Sequence, residues 1–320
     1  MGRADPIGVL LMAYGTPRNL EEVEAYFTHI RRGRRPSDAE LEDLRERYLR
    51  IGGASPLRAI TETQATALQA SLDRRSPGRF RVYLAMKHAD PFIPEVTRRM
   101  LQDGVREIVA LVLAPHESRM IVDEYLEYAT PVLAQYPEAT LRAVRTWHLN
   151  PRYLGALARR IRKALVELAD PVAVVFTAHS LPERILEWDD PYPRRLQETC
   201  EALAARVGLW RWRFAYQSAG HGGIPWLGPD ILEILPEVRA EGATAVLVVP
   251  IGFVADNLEI LYDLDIEAAQ RARELGLEFR RTESLNADEE FLEGLADEVE
   301  RAAGTRGEQG AWGKHPGGGP

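Results

Sequence analysis

His179 ends an apolar run, Val172–Ala178, and is followed by Ser180-Leu181-Pro182-Glu183-Arg184. An imidazole at the end of a buried strand can bind a metal or accept a proton near neutral pH. The second chemical feature runs from Asp256 through Asn257, Leu258 and Glu259 to Glu267. Asp256 or Asn257 suits a helix N-cap. Glu259, Asp263 and Glu267 then lie on one helical face at i, i+4 and i+8. Like charges stacked in this way repel, and more strongly when buried. Such a ladder belongs either on a solvated surface or in a cleft where a cation or transferable protons offset the repulsion. Its position directly after Pro250-Ile251-Gly252-Phe253, which reads as a strand end, favours the cleft. The chain has no H-x-x-x-H pair and no Cys/His cluster to hold a metal permanently. One histidine opposed to carboxylates suits a metal held transiently and handed on. The phosphate-loop pattern G-x-x-x-x-G-K-S/T is missing, and the GHGG stretch at 220–223 does not join a strand to a helix. Nucleotide chemistry is therefore not expected.

Eight short apolar runs read as buried parallel strands. They are Ile7–Tyr14, Phe80–Met86, Glu107–Ala114, Leu141–Thr146, Val172–Ala178, Trp212–Gln217, Ala245–Pro250 and Glu278–Thr282. Amphipathic segments such as Ile60–Arg74, Pro94–Asp103, Pro151–Leu168 and Pro193–Val207 lie between them. The alternation predicts an α/β fold built from βαβ units. The halves also repeat: Met12-Ala13-Tyr14-Gly15-Thr16-Pro17 echoes Thr177-Ala178-His179-Ser180-Leu181-Pro182, and Leu113-Ala114-Pro115-His116 echoes Val248-Val249-Pro250-Ile251. The expectation is two similar lobes, each a four-stranded parallel sheet flanked by helices, with an active cleft between them. Ligands bind beyond the carboxyl ends of such strands, where Tyr14, Lys87, His88, His116 and His179 all fall. The lobes are expected at 1–148 and 149–303, with a basic lid inserted in the first at about 18–57. The Gly-rich segment 304–320 reads as a disordered tail, which removes His315 from consideration.

Composition sets the outer limits. The 320 residues are 45% hydrophobic and carry a net charge of −8, against a general nucleic-acid binder. A single cysteine, Cys200, excludes an intrachain disulfide and a cluster held by this chain's own thiolates. No apolar run approaches the roughly 18 residues of a membrane helix, and the N-terminus does not read as a signal peptide. A cytoplasmic monomer without membrane insertion is the expectation.

The strand-end motifs resemble those of ferrochelatases, which insert Fe2+ into a porphyrin. The likeness is greatest to the short soluble bacterial kind that acts on coproporphyrin III. The resembling pieces run over about residues 7–300 and include Thr28-His29-Ile30-Arg31-Arg32-Gly33, Ile51-Gly52-Gly53-Ala54-Ser55-Pro56-Leu57, Met86-Lys87-His88, Gln217-Ser218 and Pro225-Trp226-Leu227-Gly228-Pro229. The most specific are His179-Ser180-Leu181-Pro182 and Asp256-Asn257-Leu258-Glu259-Ile260-Leu261-Tyr262-Asp263, in that order. The resemblance implies a chelatase fold and haem biosynthesis. Fe2+ would be a substrate, with no permanent cofactor and no iron–sulfur cluster. A transient partner would be another enzyme of the haem pathway. His179 and Glu259 would be the pair that handles metal and protons, with Asp263 and Glu267 as a carboxylate track. Tyr14 would face the opposite side of the macrocycle, and Arg31, Arg47, Ser55 and Tyr125 would hold propionates. Arginine suits that task because its fork pairs bidentately with carboxylates. The chain departs from the family at Asn257, where relatives commonly have His, and at Glu117, where an aromatic residue is expected. Cobalt or nickel chelation of a sirohydrochlorin-type ring, and non-catalytic porphyrin carriage, are the alternatives.

Overall fold

A computed structural model describes residues 5–220 and 223–304 of the chain. Its strands are β1 (Ile7–Ala13), β2 (Phe80–Met86), β3 (Glu107–Val112), β4 (Thr140–Val144), β5 (Val172–His179), β6 (Arg213–Gln217), β7 (Ala245–Pro250) and β8 (Glu278–Arg281). Each lies within two residues of its predicted ends. They form two parallel sheets of identical topology, ordered β2-β1-β3-β4 and β6-β5-β7-β8. The expected internal repeat is thus a repeat of topology. Val, Ile and Leu fill the strands because helices cover both sheet faces.

The helices are α1 (Val23–Ile30), α2 (Asp38–Arg50), α3 (Leu57–Arg75), α4 (Ile93–Gln102), α5 (Glu124–Leu133), α6 (Pro151–Leu165), α7 (Tyr192–Val207), α8 (Ile231–Ala240), α9 (Ala269–Glu274) and α10 (Glu289–Gly304). Helices α4 and α5 cover one face of the first sheet, and α8 and α9 cover one face of the second. The two remaining faces share one core, in which Leu11, Trp147, Phe176 and Phe291 are all buried. Helix α10 ends the second half yet packs against α3 and β4 of the first. Arg75 fastens it there, with Asp297 at 2.7 Å and Glu300 at 3.1 Å. A polar seam also joins the halves. His116 Nε2 and Thr199 Oγ1 lie 2.8 Å apart, His148 Nε2 lies 2.7 Å from Glu198, and Asp190 accepts hydrogen bonds from Ser118 Oγ and Arg119 N. His116, although a strand-end residue, is therefore buried in this seam.

The insertion folds as α1, α2 and the loop before α3. Ser37 starts α2 with a reciprocal capping box to Glu40. Val23, Leu41 and Tyr48 form its small core, against which Leu258 of the second half packs. Two expectations need correction. Gly304 closes α10 instead of opening a tail; 305–320, with His315, and His221 lie outside the described residues. The segment carrying the carboxylate ladder is a π-helix, Ile260–Ala268, continued by α9. Asn257 caps its start, its Oδ1 accepting from Ile260 N at 2.8 Å. Asp256 is instead held by Ser284 and Asn286.

Gly15 carries β1 into the loop after Tyr14 at φ +92°, where an added Cβ would lie 2.9 Å from Ala89 Cβ and 3.0 Å from its amide nitrogen. Gly33 has a similar φ of +87° with open space around it. Gly33→Ala should cost about 1 kcal/mol from backbone conformation alone. Gly15→Ala should cost about 2–4 kcal/mol, because steric overlap adds to strain. Urea unfolding of both variants checks this, and equal losses would contradict the close packing of Gly15.

Candidate functional site

His179 is the last residue of β5, paired with Gln217 of β6. Its surroundings fix both backbone and ring. The Ser180 amide donates to the Gln217 carbonyl at 2.8 Å, the buried Ser180 hydroxyl donates to the Leu227 carbonyl at 2.7 Å, and Tyr192 Oη donates to the His179 carbonyl at 2.9 Å. The imidazole Nδ1 faces the Ser180 carbonyl, so Nδ1 carries hydrogen and Nε2 is left for chemistry. Nε2 lies 3.4 Å from Glu259 Oε1 at the mouth of the π-helix. Trp226 and Phe253 flank the ring at centroid distances of 6.4 and 6.2 Å. His179 and Glu259 are thus brought together, with both side chains about a third exposed.

Asp263 follows one step deeper and is buried. It accepts a short hydrogen bond from Ser218 Oγ and lies 3.6 Å from Arg47 Nη1. Ser218 adopts a left-handed backbone at φ +61°, a conformation that a non-glycine residue keeps only when its surroundings hold it there. Glu267, part-buried, completes the row. Among the described residues no three His, Cys, Asp or Glu side chains gather into a closed metal site. The row is an open imidazole–carboxylate path, a donor set suited to divalent cations.

The opposite wall comes from the first sheet. Tyr14, directly after β1, is 40% exposed. The amides of Lys87 and His88 bond the carbonyls of Ala13 and Tyr14, each at 2.9 Å. Lys87 is buried, with its ammonium 2.6 Å from Glu124 and 5.0 Å from the Tyr125 ring centroid. Tyr125 is buried behind it. The two walls feel each other electrostatically: burial raises the phenols of Tyr125 and Tyr48, the latter to about 12, and the charge of Glu259 adds to both.

The four residues expected to hold propionates divide in this structure. Tyr125 belongs to the wall, while Ser55 Oγ is turned to the Leu57 amide at 3.3 Å. Arg31 is paired with Glu40 and lies over Phe27. Arg47 is paired with Asp43 and Asp263 and lies over Tyr262. Arg31 and Arg47 thus hold the protein's own carboxylates. The residues expected to act did not include Ser218, Trp226 or the Lys87–Glu124 pair. Gln217-Ser218, Pro225-Trp226-Leu227-Gly228-Pro229 and Met86-Lys87-His88 carry the signal for all of these except Glu124.

Burial works against a charged His179, but Glu259, the Ser180 carbonyl and Asp263 outweigh it and raise its pKa to about 9. Asp263 is pushed up to about 7 by burial and by repulsion from Glu259 and Glu267, against the pull of Ser218 and Arg47. At neutral pH the resting pair is an imidazolium beside a carboxylate, and an arriving cation must displace its proton.

The family model described as Ferrochelatase matches residues 6–303. A ferrochelatase from Thermus thermophilus is 46% identical, covering 92% of this chain and 99% of the relative. A coproporphyrin III ferrochelatase from Halalkalibacterium halodurans is 41% identical, with coverages of 92% and 96%. Among solved structures, SirB from Bacillus subtilis with Fe3+ superposes with a TM-score of 0.61 at 12% identity, covering 93% of this chain and 96% of SirB. At that identity the likeness is one of fold.

Because metal and proton compete for the same groups, divalent-cation binding should strengthen as pH rises, first near 7 with Asp263 and then towards 9 with His179. Calorimetry in buffers of different ionisation enthalpy should show proton release on binding. NMR titration should place His179 near 9 and show it lowered in Glu259→Gln. An unshifted His179 in that variant would contradict the pairing.

Proposed function

The chain belongs to the ferrochelatase family, and we propose that it acts on coproporphyrin III with His179 and Glu259 as the pair that receives iron. As a ferrochelatase it inserts Fe2+ into a porphyrin in haem synthesis. The observation that carries the assignment of roles is the His179–Glu259 contact of 3.4 Å at the end of β5, with Glu259 near enough to Tyr14 for its charge to add to burial in raising that phenol's pKa. Coproporphyrin III carries four carboxylates. Relatives bearing that substrate in their names, such as that of Halalkalibacterium halodurans, support the choice, as do the lid cations Arg31 and Arg47.

The porphyrin enters between the lobes, and its propionates take over Arg31 and Arg47 from Glu40 and Asp263. Ser55 and Tyr125 would serve as further hydrogen-bonding groups. Tyr14 supports one face of the ring, and the Trp226, Phe253 and His179 side presses on the other. Bending the macrocycle exposes pyrrole lone pairs, at a strain of about 1–5 kcal/mol drawn from remote binding contacts. Fe2+ arrives along Glu267, Asp263 and Glu259, loses water to carboxylate oxygens, and displaces the proton held between His179 and Glu259. As iron passes to the pyrrole nitrogens, the pair is free to take up a pyrrole proton. The hydrogen bond from Nδ1 to the Ser180 carbonyl keeps Nε2 aimed at the cleft throughout.

Anaerobic incubation with coproporphyrin III, protoporphyrin IX or sirohydrochlorin and Fe2+, Co2+ or Ni2+, followed by absorption, tests the assignment. Fe2+ with coproporphyrin III should give the highest kcat/KM, and preference for sirohydrochlorin would overturn the substrate. His179→Ala should lower insertion by at least ~10²-fold while porphyrin still binds by fluorescence quenching. Glu259→Gln should act similarly. Asp263→Asn and Glu267→Gln should chiefly raise the KM for metal. A His179→Ala enzyme with normal turnover would remove His179 from its role.

A further inference from the structure

Two pyrrole protons leave for each metal inserted, and the His179–Glu259 pair lies on one side of the cleft only. Behind Tyr14, on the other side, stands a second pair of imidazoles. His88 packs against Tyr14 at a centroid distance of 4.6 Å. Its Nδ1 lies 3.0 Å from Nδ1 of His29, a hydrogen-bond distance at which one Nδ1 carries the hydrogen and the other accepts it. His88 is buried, whereas His29 lines a cavity of about 740 Å³ together with Glu21, Glu24, Arg32 and Tyr128. Phe92 and Tyr128 hold the His29 ring from its sides, at centroid distances of 5.0 and 6.2 Å. The chain Tyr14, His88, His29 thus leads from the cleft wall through a buried imidazole to an opening on the opposite side of the lid.

This pair is not built to keep a cation. Lys87 and Arg32 stand beside it, and no third ligand completes a metal site among the described residues. Burial, followed by the charge of Lys87, lowers both histidines, His88 to about 3. Two neutral imidazoles sharing one hydrogen can pass a proton along without storing it.

We propose that His88 and His29 form a proton relay that drains one pyrrole proton from the Tyr14 face into the cavity lined by Glu21 and Glu24. The inference rests on the porphyrin chelatase reading above. A pyrrole N–H breaks and its proton reaches His88 Nε2 through water at the edge of the Tyr14 ring, since Tyr14 covers His88 on that side. The hydrogen on His88 Nδ1 passes to His29 Nδ1. The hydrogen on His29 Nε2 passes to water in the cavity, whose acidic rim favours the resulting cation. Proton number and charge are conserved at each hop. Both tautomers are inverted afterwards, so the relay carries one proton per turnover and resets from solvent once product has left. The second proton goes to the His179 side.

The test is single-turnover Fe2+ insertion into coproporphyrin III by the full chain, compared with His29→Phe. That substitution keeps a ring between Phe92 and Tyr128 but removes Nδ1. The rate should fall by about 10–10²-fold, with porphyrin affinity unchanged within about twofold, and free imidazole added to the medium should restore much of the loss through the cavity. An unchanged rate overturns the relay. So does a slowed rate that imidazole leaves untouched, since that marks a packing role. A wild-type chain that binds porphyrin but inserts no metal overturns the chelatase reading instead, and the relay with it.

Discussion

An imidazole and a carboxylate held 3.4 Å apart, each about a third exposed, is the arrangement that the rest of the molecule serves. The pair joins the end of β5 to the start of the π-helix, elements about eighty residues apart in the chain. Keeping it requires Gln217, Ser180 and Tyr192 to fix the strand end, and Asn257 to cap the helix start. It also requires each strand end to open into a cleft, which the repeated βαβ arrangement provides at both walls. A lone imidazolium there would be disfavoured by burial; Glu259 and the Ser180 carbonyl outweigh that cost. The result is a single imidazole facing a row of carboxylates, with no group of three such ligands among the described residues.

The fold was legible because buried parallel strands announce themselves as continuous apolar runs. Val172–His179 and Ala245–Pro250 needed no tertiary information to be found. The strand-end position of His179 and the spacing of Glu259 and Asp263 were equally local. What escaped was set by distant contacts. The i, i+4, i+8 pattern places carboxylates on one side of a helix but does not distinguish an α-helix from a π-helix, whose wider turn depends on packing. The crossing of α10 onto α3 depends on Arg75 meeting Glu293, Asp297 and Glu300, more than two hundred residues away. Ser218 reaches Asp263 only through a left-handed backbone that its residue type does not suggest.

His116 shows the converse. Its sequence context, at the end of the third strand, matches that of a site histidine, yet its Nε2 is used by Thr199 of α7. Burial holds it neutral, and its place is in the seam between lobes. Strand-end position therefore nominates residues, and the neighbouring element decides which face the cleft. β5 and β1 open onto the cleft because the residues after them meet the π-helix and the lid, whereas β3 is followed by a segment that packs on α7.

The charge balance of the lid has a similar logic. A net charge of −8 is a poor start for binding an anionic macrocycle, so local cations must supply the attraction. In this structure Arg31 and Arg47 are paired with Glu40 and Asp263. Substrate carboxylates would therefore replace carboxylates already in place, and the exchange gains less than pairing with bare guanidinium would. A weaker net gain favours release of a product that carries the same carboxylates as the substrate. Arg47 stands 3.0 Å from Asp43 and 3.6 Å from Asp263, so under the proposed exchange a propionate drawing Arg47 off Asp263 would take a cation from beside that carboxylate and make the field there more negative.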